Sequence, residues 1–241
     1  MYTYERGIPM LDFLVNVQNY VPQFWAAFLV TIRLAVLSLI FATIVGIVVG
    51  LINTSKSKNV IMVVLRAIAK IYIEIIRGTP MLVQILIIYF GISQALRPMG
   101  FSWNLIGGTF SAGVVVLTIN AGAYMSEIIR AGIEAVDRGQ VEAARSLGLR
   151  YGQTMTKIVL PQAIRTMLPS IVNQFIISIK DTSLMSTVGL AELTNTGRTI
   201  ASVWTSQTLA LYCYMAVWYL VICLVLSRLS KLLERKLSYA R

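Results

Sequence analysis

Apolar residues run along this chain in long unbroken blocks, separated by short polar stretches rather than alternating with polar residues. Leu34–Ile52 and Thr208–Ser227 contain no charge at all. Met81–Leu96, Phe110–Met125 and Thr166–Ile179 are shorter and extend through neutral or amphipathic flanks. A bilayer core needs about 20 mainly apolar helical residues per crossing, so the pattern predicts five transmembrane helices, at about 24–53, 62–96, 109–130, 163–186 and 207–230. The strands of a membrane barrel would alternate in pieces of about ten residues; these blocks are continuous and rich in Leu, Ile, Val and Ala. The fold class is therefore all-α, a single transmembrane domain over 1–241.

The polar interruptions carry local predictions. Within the first span, Gly46 and Gly50 make a small-residue face that another helix can approach closely, as in dimer-type packing. From Val60 onward Arg66 and Lys70 share one face, which makes this stretch amphipathic and starts it at the inner interface. Gly78-Thr79-Pro80 then breaks or kinks the second span, because proline lacks a backbone donor and disfavours helix in its predecessor. Arg97–Gly108 reads as an external loop. The stretch 131–162 is polar yet helix-forming: Val136, Gln140, Val141, Ala144 and Leu147 make a stripe ended by Gly148, a second short helix from about Gly152 to Leu160 groups Met155, Ile158 and Val159, and Pro161 ends the unit. Such a knob has too little apolar surface to fold alone, so it rests on the membrane helices and on a partner.

Composition agrees with the pattern. Of 241 residues 57% are hydrophobic and 13% charged, with a mean hydropathy of +0.75, outside the range of soluble domains. Met1–Gln23 is mixed, with Glu5, Arg6, Asp12 and Pro22, and lacks the basic start and short apolar core of a cleaved signal peptide. Lys56, Lys58, Arg66 and Lys70 follow the first span. Arg130, Arg138, Arg145, Arg150, Lys157 and Arg165 lie between the third and fourth, and Arg228, Lys231, Arg235, Lys236 and Arg241 follow the fifth. The other connections hold only Arg6, Arg97 and Arg198. Since Lys and Arg stay cytoplasmic, the N-terminus is expected outside, the C-terminus inside and the 131–162 loop in the cytoplasm. The net charge of +11 is thus a topology signal, and nucleic acid is not an expected partner.

Little points to catalysis. Cys213 and Cys223 lie on one helix, too far apart to pair and without metal-site spacing, and read as packing residues. There is no histidine, which removes the usual general base and metal ligand. No Gly-x-x-x-x-Gly-Lys-Ser/Thr phosphate loop occurs, so ATP hydrolysis by this chain is not expected.

Glu142-Ala143-Ala144-x-x-x-Gly148, followed by Ile158-x-Leu160-Pro161, resembles the EAA loop of ABC-importer permease subunits. Glu74–Pro80, Ala121–Gly132, Gln140–Leu149 and Lys180–Leu184 resemble the polar amino acid branch of that family, and the likeness runs from about Phe28 to the C-terminus. It implies an ATP-driven importer in a bacterial or archaeal cytoplasmic membrane. The implied partners are two ATPase subunits that bind ATP and Mg, a second permease copy or close relative, an external substrate-binding protein, a polar amino acid substrate and membrane lipid. The implied ATPase-docking residues are Glu142, Ala143, Ala144, Arg145, Leu147 and Gly148: Glu142 near a helix start, where a carboxylate meets the positive helix end, two small alanines to enter a groove, and Gly148 for the sharp turn. An ion-gradient carrier or channel and a non-transporting scaffold are the competing classes. Against a carrier, five spans leave no room for an inverted repeat.

Polar groups inside spans face a cavity or a partner. Here they are Glu74, Arg77, Gln84, Asn120, Glu127, Asn173, Gln174, Lys180 and Asp181. Glu74 with Arg77 and Glu127 with Arg130 have pairing distance along a helix, whereas adjacent Lys180 and Asp181 point apart. Relatives that carry basic amino acids often have Glu where Gln174 stands after Asn173. An amide offers a donor and an acceptor but no charge, which favours a neutral polar substrate such as glutamine or cystine, or an anionic one. Thr79, Asn120, Tyr124, Gln174, Lys180 and Asp181 are the expected substrate contacts.

Overall fold

The computed structural model describes residues 9–55 and 57–238; Glu5, used in the signal-peptide reading, and Arg6, Lys56 and Arg241, used in the topology argument, lie outside them. The described chain is all-helical. Four of its segments are long and apolar enough to cross a membrane: Val17–Thr54, Met81–Met99, Gly108–Glu134 and Thr205–Leu232.

Helix α1 (Pro9–Thr54) begins well before the expected Phe24 and runs through Pro22. Its early turns are helical because they have somewhere to pack. Phe13, Tyr20, Phe24 and Ala27 are buried against Leu193, Ile200, Ala201 and Leu211, with the Phe24 ring edge-on to Tyr214 at 4.9 Å. Further along, α1 lies against α5 (Gly108–Glu134). Leu34 sits beside Gly113, Val45 beside Gly122, Gly46 beside Met125 and Gly50 beside Ile129. Contacts advance together along both helices with a nearly fixed offset, so the two helices are parallel. A methyl group at Gly46 would stand 2.7 Å from Met125 Cβ. The Gly46/Gly50 face is therefore filled by α5 of the same chain rather than left open for another copy.

Helix α2 (Val60–Gly78) is capped by Asn59, whose side chain accepts from the Ile61 N–H at 3.0 Å. Arg66 donates to the carbonyls of Ser55 and Ser57 and ties down the α1–α2 turn. The helix stops at Thr79-Pro80, and α3 (Met81–Leu86) starts afresh, with Val83 and Gln84 N–H donating to Pro80 O. A π-helical stretch, Ile87–Ile92, leads into α4 (Ser93–Leu96). The Tyr89 carbonyl in that widened turn accepts from the buried Trp103 indole at 3.1 Å, so the loop folds back onto the helix that precedes it.

After α5 come α6 (Arg138–Ser146), α7 (Tyr151–Thr154), a π-helical turn Met155–Val159 and α8 (Leu160–Asp181). Pro161 does not end the second helix as expected. It stands in the first turn of α8, and the helix passes from Tyr151 to Asp181 without a stop. A proline cannot donate to the carbonyl four residues back and its ring crowds that carbonyl. Widening the preceding turn, with the Leu160 N–H reaching Met155 O, relieves both problems. Along α8, Met167 packs at Gly132; beyond its end, in a 3-10 stretch over Thr182–Val188, Met185 packs at Gly113. Helix α9 (Leu193–Val203) and α10 (Thr208–Ser238) complete the fold, with Met215 against Gly197. Cys213 and Cys223 are unpaired on α10, and Cys213 is exposed rather than packed.

Candidate functional site

The break between α2 and α3 leaves two backbone acceptors without helical donors. Pro80 has no N–H for Ile76 O, and the Val83 N–H, which would serve Thr79 O, goes to Pro80 instead. Gln84 fills both vacancies: its Nε2 lies 2.8 Å from Ile76 O, 3.1 Å from Thr79 O and 2.9 Å from Thr79 Oγ1. Thr79 Oγ1 in turn donates to Ile75 O at 2.8 Å. Asn120 Nδ2, buried on α5, donates to Gln84 Oε1 at 2.9 Å. Thr79 and Asn120, expected as substrate contacts, thus belong to one network that holds the break closed, with Gln84 at its centre.

One turn further along α5 the polar groups open onto space. Arg77, Tyr124, Glu127, Arg130, Ser170 and Gln174 line a cleft of about 500 Å³ between α2, α5 and α8. A second cleft of about 510 Å³, between α8 and α10, shares Ser170 and Gln174 and adds Asn173, Ser227, Ser230 and Lys231. Gln174 forms the wall between them. It is 4% exposed as a residue and makes no hydrogen bond to another described group; its amide atoms are not among the fully buried ones without a partner, so the amide reaches the clefts. Tyr124 stands 37% exposed in the cleft, with the Arg77 guanidinium 5.6 Å from its ring centre. Lys180 and Asp181, at the far end of α8, line neither cleft.

The charges pair differently from the expectation for α2. Arg77 reaches across to Glu127 on α5 at 3.4 Å instead of pairing with Glu74. Glu127 and Arg130 do pair, through two hydrogen bonds of 3.1 and 3.0 Å, and Arg130 also holds Glu134 at 2.7 Å. The fork of a guanidinium suits such a two-pronged grip on a carboxylate.

At the elbow between α5 and α8, Asp137 caps α6 through the N–H groups of Gly139 (2.7 Å) and Gln140 (3.3 Å). Glu142 lies past the first turn, so Asp137 and not Glu142 meets the positive helix end. Gly148, at φ +82°, closes α6 in a Schellman turn: its N–H bonds Arg145 O at 3.0 Å and the Leu149 N–H bonds Ala144 O at 3.2 Å. Ala144 is buried inside the chain, so its methyl is not offered to a groove. Glu142, Ala143 and Arg145 are exposed, and Leu147 is 84% exposed. Leu147 and Gln140 thereby leave the expected stripe. Val136 and Val159 are buried with Ile129, Ile133, Ala163 and Met167, and Val141 and Met155 pack on that cluster. Gln162 bonds Gln140 and joins α8 to α6.

Sequence reasoning passed over Glu192. Fully buried, it caps α9 by accepting from the N–H groups of Thr194 (2.9 Å) and Asn195 (2.7 Å), and it accepts from the Tyr219 hydroxyl at 2.8 Å. Burial pushes its carboxyl above the usual carboxylate range, against the pull of those donors. The signal available was a carboxylate just before a helix start.

Several helices of membrane-crossing length, polar clefts between them and a helical elbow with an exposed outer face define a multi-pass membrane permease. Residues 42–239 match the family model described as binding-protein-dependent transport system inner membrane component. The chain is 39% identical over 208 residues to the glutamine transport system permease protein GlnP of Escherichia coli strain K12, covering 86% of this chain and 90% of that one. It is 37% identical to the arginine transport system permease protein ArtQ of Bacillus subtilis strain 168, covering 95% and 98%. A similar 37% holds for the L-cystine transport system permease protein TcyB of the same organism, with 92% and 89% covered. Among solved structures, an amino acid ABC transporter crystallised with histidines superposes with a TM-score of 0.81 at 39% identity, covering 92% of this chain and 97% of that one. The MetNI methionine ABC transporter shares the fold at a TM-score of 0.68 and 17% identity, covering 89% and 98%. The chain belongs to the family of binding-protein-dependent transport system inner membrane components, as a multi-pass permease subunit of the plasma membrane. It sits among the amino acid permeases of that family.

Proposed function

We propose that this chain is the membrane subunit of an ATP-driven importer of a polar amino acid and forms half of the translocation path. The observation that carries the coupling role is the elbow. A large apolar side chain, Leu147, stands 84% exposed at the end of α6, a helix that packs on α7 and the π-helical turn and rests Val141 on the Val136/Val159 cluster, and an apolar side chain presented in this way suits a partner's groove. Glu142, Ala143, Arg145, Leu147 and Gly148 form the docking face, within the Glu142–Pro161 segment; Ala144 supports it from behind. ATP and Mg are bound by two ATPase subunits seated on this face and its counterpart in a second permease copy or close relative, and an external binding protein delivers the substrate. Because α5 and α8 continue into the elbow, closure of the ATPases rocks the helices that line the clefts.

Five crossings, with the N-terminus outside and the C-terminus inside, fit the packing. Parallel α1 and α5 require an odd number of crossings between them. The chain that runs from Met167, beside Gly132, to Met185, beside Gly113, travels the length of α5 in the opposite direction. Uptake by proteoliposomes that hold permease, ATPase and binding protein tests the reading. ATP-dependent accumulation is expected for wild type and is expected to disappear in Glu142→Lys; accumulation without any ATPase would overturn it.

The substrate contacts are Tyr124 and Gln174. An uncharged amide facing the cleft suits a neutral polar substrate such as glutamine or cystine. Gln174→Glu is expected to shift uptake toward arginine and lysine, and unchanged selectivity would remove Gln174 from the path.

A further inference from the structure

Arg77 is poorly satisfied for a guanidinium. Its contact with Glu127 is 3.4 Å and forms no hydrogen bond, its side chain is 45% exposed, and it lines the cleft. Glu127 does not depend on it, because Arg130 grips both of that carboxylate's oxygens. An incoming anion can therefore displace Glu127 from Arg77 without stranding a charge. The Arg77 guanidinium carbon meanwhile lies over the Tyr124 ring, 5.6 Å from its centre, a cation–π contact that occupies none of the guanidinium's N–H donors. Gln174, buried and without a described partner, lines the same cleft.

We infer that Arg77 receives the α-carboxylate of the transported amino acid while Gln174 meets its side chain. The inference rests on the cleft being the substrate site. It assigns Arg77 the part every α-amino acid shares and Gln174 the part that differs. Selection for an α-carboxylate is then built into the membrane subunit itself, separately from any selection by a binding protein.

The test is direct binding to the purified permease–ATPase complex without binding protein. The probes are L-glutamine, L-cystine and L-arginine, each compared with its α-carboxamide. Wild type is expected to favour the carboxylate form of its best ligand by about 10- to 100-fold, the range of a charge-assisted hydrogen bond. Arg77→Gln should bring that ratio near one. Arg77→Lys, which keeps the charge beside Glu127 but not the fork, should leave an intermediate ratio and guards against loss through misfolding. A full carboxylate preference in an intact Arg77→Gln complex, with binding still sensitive to Gln174→Ala, overturns the role of Arg77 alone. No binding of any probe to wild type, or binding indifferent to Gln174→Ala, overturns the cleft as the site and this inference with it.

Discussion

Replacing Gln84 by leucine removes the side-chain donor that serves Ile76 O and Thr79 O, and takes the acceptor from Asn120. Unpaired buried polar groups cost about 1–3 kcal/mol each. Gln84→Leu is expected to lower the thermal midpoint of the detergent-solubilised protein, whereas Thr79→Val, which spares the backbone acceptors' donor, should lower it less. Gly148 gives a cleaner number. A methyl group placed there would meet no atom within 4 Å, so Gly148→Ala costs only the strain of a left-handed backbone, about 1–2 kcal/mol. Faster hydrogen exchange at the Leu149 amide, with α8 unchanged, is the expected readout. For Glu192 the carboxyl is raised in the folded protein, so its stabilising contribution is complete below the ordinary carboxylate range and is lost as pH rises through the raised value. Thermal scans from the ordinary carboxylate range upward should show stability falling with pH in wild type, and a flatter dependence in Glu192→Gln. Neither Gln84 nor Glu192 announces its role in the sequence. Each serves backbone groups that exist only because of where a helix stops, and Glu192 is completed by Tyr219, remote along the chain.

At the scale of elements, the sequence was most legible where a residue type forbids something. Pro80 forbids a continuous helix after Gly78, and the chain breaks there. Pro161 carries the same prohibition and the chain does not break, because a single widened turn absorbs it. Proline states that one hydrogen bond must be lost; it does not state whether the helix yields by stopping or by widening. The Gly46/Gly50 face was equally visible and equally silent about its occupant. Since α5 occupies it, Gly46→Leu forces two long crossings apart. Overpacking of this kind costs about 1–3 kcal/mol, and the expected outcome is a marked drop in thermal midpoint with no compensating change in oligomeric state. The elbow's apolar anchors Val136, Met155 and Val159 were legible from helical spacing, whereas the outward turn of Leu147 depends on the Schellman closure just beyond it.

Over the whole molecule, long unbroken apolar runs were enough to read an all-helical membrane protein, since the bilayer leaves few other solutions. They were not enough to predict which helices touch. The tightest partner of α1 is α5, which is neither its neighbour in sequence nor antiparallel to it. That pairing sets an order of events during synthesis. Until residues 108–134 have emerged and inserted, the glycine notch of α1 has no cognate helix and is bathed in lipid. A nascent chain paused after the α4 segment therefore carries an adhesive surface that the finished protein has hidden. A fragment ending near Gly107 is expected to self-associate in membranes through Gly46 and Gly50, and co-expression of the missing remainder should dissolve that association.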